Sequence, residues 1–184
     1  MSLSKSKRLI ILGVVALLVF LIFTMTGCSQ LSDKESTIDK NFSRMLPELN
    51  LRYEKLATSI DLAETIGGPR DVVVDGKKHL KTYNEAKTKK DRDTQLSAAR
   101  ELEDIIGRLR ANAESSPKLS ASAELKALMD EIEKSIPSTS VTEPYMDSVK
   151  DFEKARTSWR LFISAVIGGY SAPDQLEFSV KPKT

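Results

Sequence analysis

Cysteine and histidine are almost missing from this chain: Cys28 and His79 are the sole examples in 184 residues. One cysteine rules out an intrachain disulfide. One histidine cannot supply the paired Glu-x-x-His motifs of a helical di-metal centre, and a structural zinc site would lack its usual ligands. The same scarcity bears on catalysis. A Ser-His-Asp system would have to use His79, and no serine is flanked by nucleophile-elbow glycines. Asp75 and His79 stand four apart, but with no third group in view they read as a solvated surface pair. Gly67-Gly68 is no phosphate loop, because no Gly-Lys-Ser/Thr follows it. No metal, no cofactor and no catalytic residue are therefore expected, and the chain does not read as an enzyme.

Aromatic residues make up only 6% of the chain. Alanine, leucine, lysine, glutamate and serine dominate instead, a mix that suits helices packed along aliphatic seams better than a sheet core. Charge of one sign is lacking too: 28 basic residues stand against 26 acidic ones. Three of the bases, Lys5, Lys7 and Arg8, precede the first apolar run, so the rest carries 25 against 26. A nucleic-acid binder would keep a basic excess on its folded part, and nucleic acid is not an expected partner.

What is present begins with an anchor. After the basic leader, Leu9 to Phe23 is unbroken apolar sequence, and only Thr24 intervenes before Met25. As a helix this stretch is about 26 Å long, the short limit for crossing a bilayer and slightly long for a signal-peptide core. The basic leader should stay cytoplasmic, which puts the bulk of the chain on the other side. Met25-Thr26-Gly27-Cys28-Ser29 follows, similar to a bacterial lipobox, in which the cysteine is the site of lipid attachment. Cys28 is therefore expected to be lipidated after cleavage, the alternative being a cysteine that ends an uncleaved anchor. In both cases the protein is held at a membrane.

Residues 1–28 thus read as leader and anchor, 29–37 as a polar tether, and 38–184 as a helical domain with a loosely held C-terminal tail. Ile38, Phe42, Met45, Leu49, Tyr53, Leu56, Ile60 and Ala63 recur at steps of three and four, one face of an amphipathic helix. Pro47 should kink or split that helix, and Gly67-Gly68-Pro69 should end it. Val72-Val73-Val74-Asp75-Gly76 reads as an extended linker. A second helix runs through the charged stretch Lys87 to Asp93 and carries Leu96, Ala99, Leu102, Ile106, Leu109 and Ala113 on its buried face. A third holds Ala121, Leu125, Leu128, Ile132 and Ile136, with Ser120 or Ser122 as N-cap. Pro137 to Pro144 reads as a linker. A fourth helix then places Tyr145, Val149, Phe152, Ala155, Trp159, Phe162 and Val166 on one seam and closes at Gly168-Gly169. Four apolar stripes on modest loops predict an all-α, antiparallel up-and-down bundle of about four helices.

Gly107-Arg108-Leu109, followed by Ala113-Glu114-Ser115-Ser116-Pro117-Lys118-Leu119-Ser120-Ala121, resembles a stretch of the LemA family. Tyr145, Val149, Lys150, Asp151, Phe152 and Ala155 resemble that family's final helix, and Ala165 to Tyr170 its closing apolar segment. The likeness covers roughly residues 105–178, while Arg52 to Ile66 keeps little of the family's first-helix pattern. Pro137 and Pro144 also divide what is usually one long helix in that family. The resemblance implies a membrane-anchored helical bundle of the bacterial envelope. The expected function is a tethered, non-catalytic interaction or scaffold protein with a protein partner. The alternative is an exported lipoprotein that binds a small ligand or cell-wall component in a cleft between helices.

Overall fold

The computed structural model describes residues 5–171, 173, 176 and 178, with side chains from residue 11 onward. The side chains of Lys5, Lys7 and Arg8, and most of the expected C-terminal tail, lie outside the described residues. Among those residues there are seven helices and no strand: α1 Lys5–Thr65, α2 Arg70–Lys89, α3 Arg92–Ser115, α4 Pro117–Ser120, α5 Ala123–Lys134, α6 Thr139–Thr157 and α7 Phe162–Gly168. The expected all-α bundle is found, with α4 and α7 as short additions to the longer helices.

The chain forms two units. One takes the chain up to Ile38 together with Asp147–Ala172, and the other takes Asp39–Met146 and the segment from Pro173. In the second unit, Phe42, Met45, Leu49, Tyr53, Leu56, Ile60 and Ala63 of α1 are all buried, as their spacing demands. Pro47 lies within α1 without ending it. It sits on the exposed face, so water can meet the carbonyl that its ring leaves without a donor. The Gly67-Gly68-Pro69 stop behaves as expected: Gly67 has φ +82°, and the Gly68 N–H donates to the Ala63 carbonyl at 2.7 Å.

Three expectations fail here for physical reasons. Val72 to Gly76 is not a linker but the first turns of α2. Val72 and Val73 are buried, and burial outweighs the weak helix preference of β-branched residues. Gly76 lets α2 approach its neighbours, since a Cβ there would lie 2.5 Å from the Ile60 Cδ1. Asp71 and Asp75, one turn apart, are both held by Arg108 of α3 at 2.7 and 3.0 Å, which favours helix over this segment. Nor does the helix continue through the charged run. It stops at Lys90, with φ 57°, and restarts after Asp91, whose carboxylate accepts from the Thr94 N–H at 3.1 Å. At the next turn Ser122 is the cap, accepting from the Leu125 N–H at 3.2 Å. The expected linker from Pro137 to Pro144 is helical from Thr139 on, with Pro144 inside α6, and the carboxylate of Glu48 receives the Ser138 N–H at 2.6 Å just before that helix begins.

In the first unit, residues 29–37 were expected to be a polar tether; they are helical and belong to α1. Leu31 and Ile38 are fully buried, which gives this polar stretch an apolar edge to pack. The expected fourth helix is interrupted: α6 ends at Thr157, and the turn Ser158–Leu161 separates it from α7. Val149 and Phe152 are buried as expected. Trp159, Phe162 and Val166 are not core residues, being 78%, 57% and 65% exposed. The break at Ser158 rotates them off the seam that Val149 and Phe152 share.

Candidate membrane-facing site

The apolar segment shapes the first unit. From Ile11 to Met25 nearly every large apolar side chain of α1 is exposed, and the helix is long and apolar enough to cross a membrane, with a mean hydropathy of 2.6 over its best window. Thr24 is the exception that turns inward. Its carbonyl accepts from the Ser164 hydroxyl at 3.2 Å, in a site where Ser164 is wholly buried. Gly27 makes this approach possible, because a Cβ at that position would collide with the Ser164 side chain. Cys28 comes next, half-buried, with its thiol donating to the Ser164 carbonyl at 3.6 Å. The Tyr170 hydroxyl donates to the Cys28 carbonyl at 3.1 Å, and the Tyr170 ring stands edge-on to Phe152 at 6.3 Å. The residue singled out by the lipobox-like motif is therefore where α1 and α7 meet. A groove of about 300 Å³, lined by Phe23, Thr26, Gly27, Gln30, Ser158 and Arg160, lies beside it.

The second unit contains a buried ion pair that the sequence reading did not anticipate. Arg52 is fully buried and Glu103 nearly so. The guanidinium makes two parallel hydrogen bonds to the carboxylate, at 2.7 and 2.8 Å, and its third nitrogen donates to the Ile132 carbonyl near the end of α5. Its guanidinium carbon also lies 5.9 Å from the centre of the Phe178 ring. The Tyr53 hydroxyl, 3.3 Å from both the Ala99 carbonyl and the Glu103 carboxylate, completes the cluster. The available signal was one of position: Arg52 stands among Leu49, Tyr53 and Leu56, and Glu103 beside Leu102 and Ile106. A charged residue on an apolar face needs a partner. By contrast, Asp75 is paired with Arg108 rather than with His79. Asp104 and Arg108, four apart on α3, come to 3.9 Å.

Burial, and then the nearby Glu103 charge, push the Tyr53 phenol well above its ordinary value of 10.0. Burial pushes Tyr83, packed edge-on against Tyr53 at 4.9 Å, up to about 12. Unfolded tyrosine loses its proton near pH 10, whereas folded Tyr83 keeps it to about 12. The raised value therefore adds stability that is fully present below pH 10 and is lost as pH rises towards 12. Denaturation midpoints measured across that window should fall, and Tyr83→Phe should flatten the fall; an identical slope in the variant would show that Tyr83 is not the group responsible.

A family model described as the LemA family matches residues 72–183, more than half of the chain. No curated protein and no solved structure matches.

Proposed function

This chain belongs to the LemA family, and we propose that it works as a membrane-tethered, non-catalytic helical interaction protein of the bacterial envelope, its bundle on the non-cytoplasmic side. One observation carries the reading: the exposed apolar stretch of α1 runs without a break into turns of the same helix that bury Gly27, Leu31 and Ile38 against protein. The basic leader favours a cytoplasmic N-terminus. The buried ionisable groups are spent on one another, Arg52 on Glu103, which supports a structural rather than a chemical use of them. A ligand-binding cleft would gather aromatic side chains around converging polar groups. Tyr145 and Phe152 are instead buried, and Trp159 and Phe162 face outward, which favours the interaction reading over the ligand-binding alternative.

Two versions of the tether differ at Cys28. Cleavage before it would remove Thr24 and Gly27, and with them the Ser164 hydrogen bond and its close contact. This favours the uncleaved helix over lipid attachment at Cys28. Intact mass of protein purified from membranes distinguishes them: the uncleaved form keeps its first residues and a free thiol, whereas a chain beginning at acylated Cys28 overturns that version and leaves the tether intact. Photo-crosslinkers placed along the exposed faces of α2 and α3 in intact membranes test the rest. A dominant protein adduct is expected, and release of the protein by alkaline carbonate, or adducts to no protein, would sink the proposal.

A further inference from the structure

Resting on the tethered reading, we propose that α7 and the turn before it make a second membrane contact, with their outward apolar face lying in the lipid interface around the point where α1 leaves the bilayer. Five large apolar side chains within nine residues, Trp159, Phe162, Ile163, Val166 and Ile167, are between 41% and 78% exposed. A contiguous patch of this kind marks an interaction surface. Its place in the fold identifies the occupant. Through Ser164 and Gly168, α7 is fixed to Thr24, Gly27 and Cys28, directly after the exposed apolar segment, so the two apolar surfaces are continuous at one end of the span. Whatever solvates Phe23 and Met25 also reaches α7.

Length points the same way. Leu9 to Met25 alone gives about 26 Å, short of a hydrocarbon core of about 30 Å. Thr26 to Cys28, at the level where α7 packs, add about 4.5 Å, and the apolar belt then matches a bilayer. The chemistry of the face is interfacial. Trp159 is an amphipathic ring of the type enriched at the membrane–water boundary, and the guanidinium of Arg160 lies 5.5 Å from its centre. Arginine there can reach headgroup phosphate while its stem stays in apolar surroundings. The groove beside Cys28 has the same gradient, from Phe23 to Gln30 and Arg160, and is suited to a phospholipid headgroup. A seven-residue helix would not hold itself on a bilayer. Its buried Ser164 and Ala165 hold it to α1 instead.

Trp159 is the single tryptophan of the chain, so the test needs no added probe. The full chain is reconstituted in vesicles of phosphatidylcholine and phosphatidylglycerol, some carrying bromine on the acyl chain near the headgroup. Trp159 should emit at shorter wavelength than free tryptophan, lose at least about half its emission to the shallow brominated lipid, and be shielded from aqueous iodide, as an interfacial ring is. Full quenching by iodide with none by bromolipid overturns the proposal. So does protection from both quenchers: if it fades on dilution into excess lipid the face is covered by a second copy, and if it persists the face is covered by the protein itself. Phe20→Trp in a Trp159→Phe background reports on the span. Quenching of that reporter without quenching of Trp159 keeps the tether and defeats this inference, whereas silence from both defeats the tether as well.

Discussion

Replacing Arg52 with methionine should destabilise the bundle by about 3–5 kcal/mol, because it takes the countercharge and two hydrogen bonds from the buried Glu103 carboxylate. The carboxylate is only 3% exposed, and two guanidinium nitrogens donate to it at 2.7 and 2.8 Å. The Tyr53 hydroxyl, at 3.3 Å, is too weak a donor to balance a full charge. Glu103→Leu should be as harmful, since it leaves a buried guanidinium with one carbonyl partner. The informative variant is the double one. Arg52→Met with Glu103→Leu removes both charges and should recover much of the loss, as buried pairs exchanged for apolar residues do. Chemical denaturation of the full chain in mild detergent, followed by circular dichroism, measures all three. Single changes costing under about 1 kcal/mol would mean that water reaches the pair.

Phe152→Ala should cost about 3–5 kcal/mol in the same assay, as large aromatic deletions in cores do. Its ring is 1% exposed and packs against Tyr170, whose hydroxyl in turn holds the Cys28 carbonyl. Trp159→Ala, although it removes a larger side chain, should stay within about 0.5 kcal/mol, as exposed substitutions do. Near-equal costs for the two would show that the tryptophan is packed in solution and that the turn at Ser158 does not expose it.

That contrast shows what was legible in the sequence. Steps of three and four place Leu49, Tyr53, Leu56 and Ile60 on one face, and the face is buried. The same steps place Phe152, Trp159, Phe162 and Val166 together, and here the reading fails. Periodicity says which residues share a side of an ideal helix; it knows nothing of a break at Ser158 or of what covers the side. The Val72 to Gly76 segment failed differently: local preference pointed to extended chain, while burial of Val72 and Val73 and the close approach at Gly76 come from helices far along the sequence. Stops with strong local chemistry, Gly67-Gly68-Pro69 and Gly168-Gly169, were readable because glycine at positive φ needs no distant partner. The ion pair joins residues 51 apart, so only the misfit of each charge on its own apolar face was open to view. Cys28 was found by its neighbours in sequence, but its contacts with Ser164 and Tyr170 lie 136 and 142 positions away.

Those separations set an order of assembly. The unit around Cys28 is built from the segment up to Ile38 and from Asp147–Ala172, with the hydrogen bond from Ser164 to Thr24 closing a gap of 140 positions. During synthesis the apolar segment emerges first, and the contiguous stretch Asp39–Met146 can condense on local contacts while the remainder is still being made. The inward faces of Leu31, Ile38 and Thr24 must wait, uncovered, for Asp147–Ala172 to be made. A polypeptide that stops short of α6 and α7 therefore lacks Ser164 and leaves the edge of α1 at Thr24 and Gly27 open.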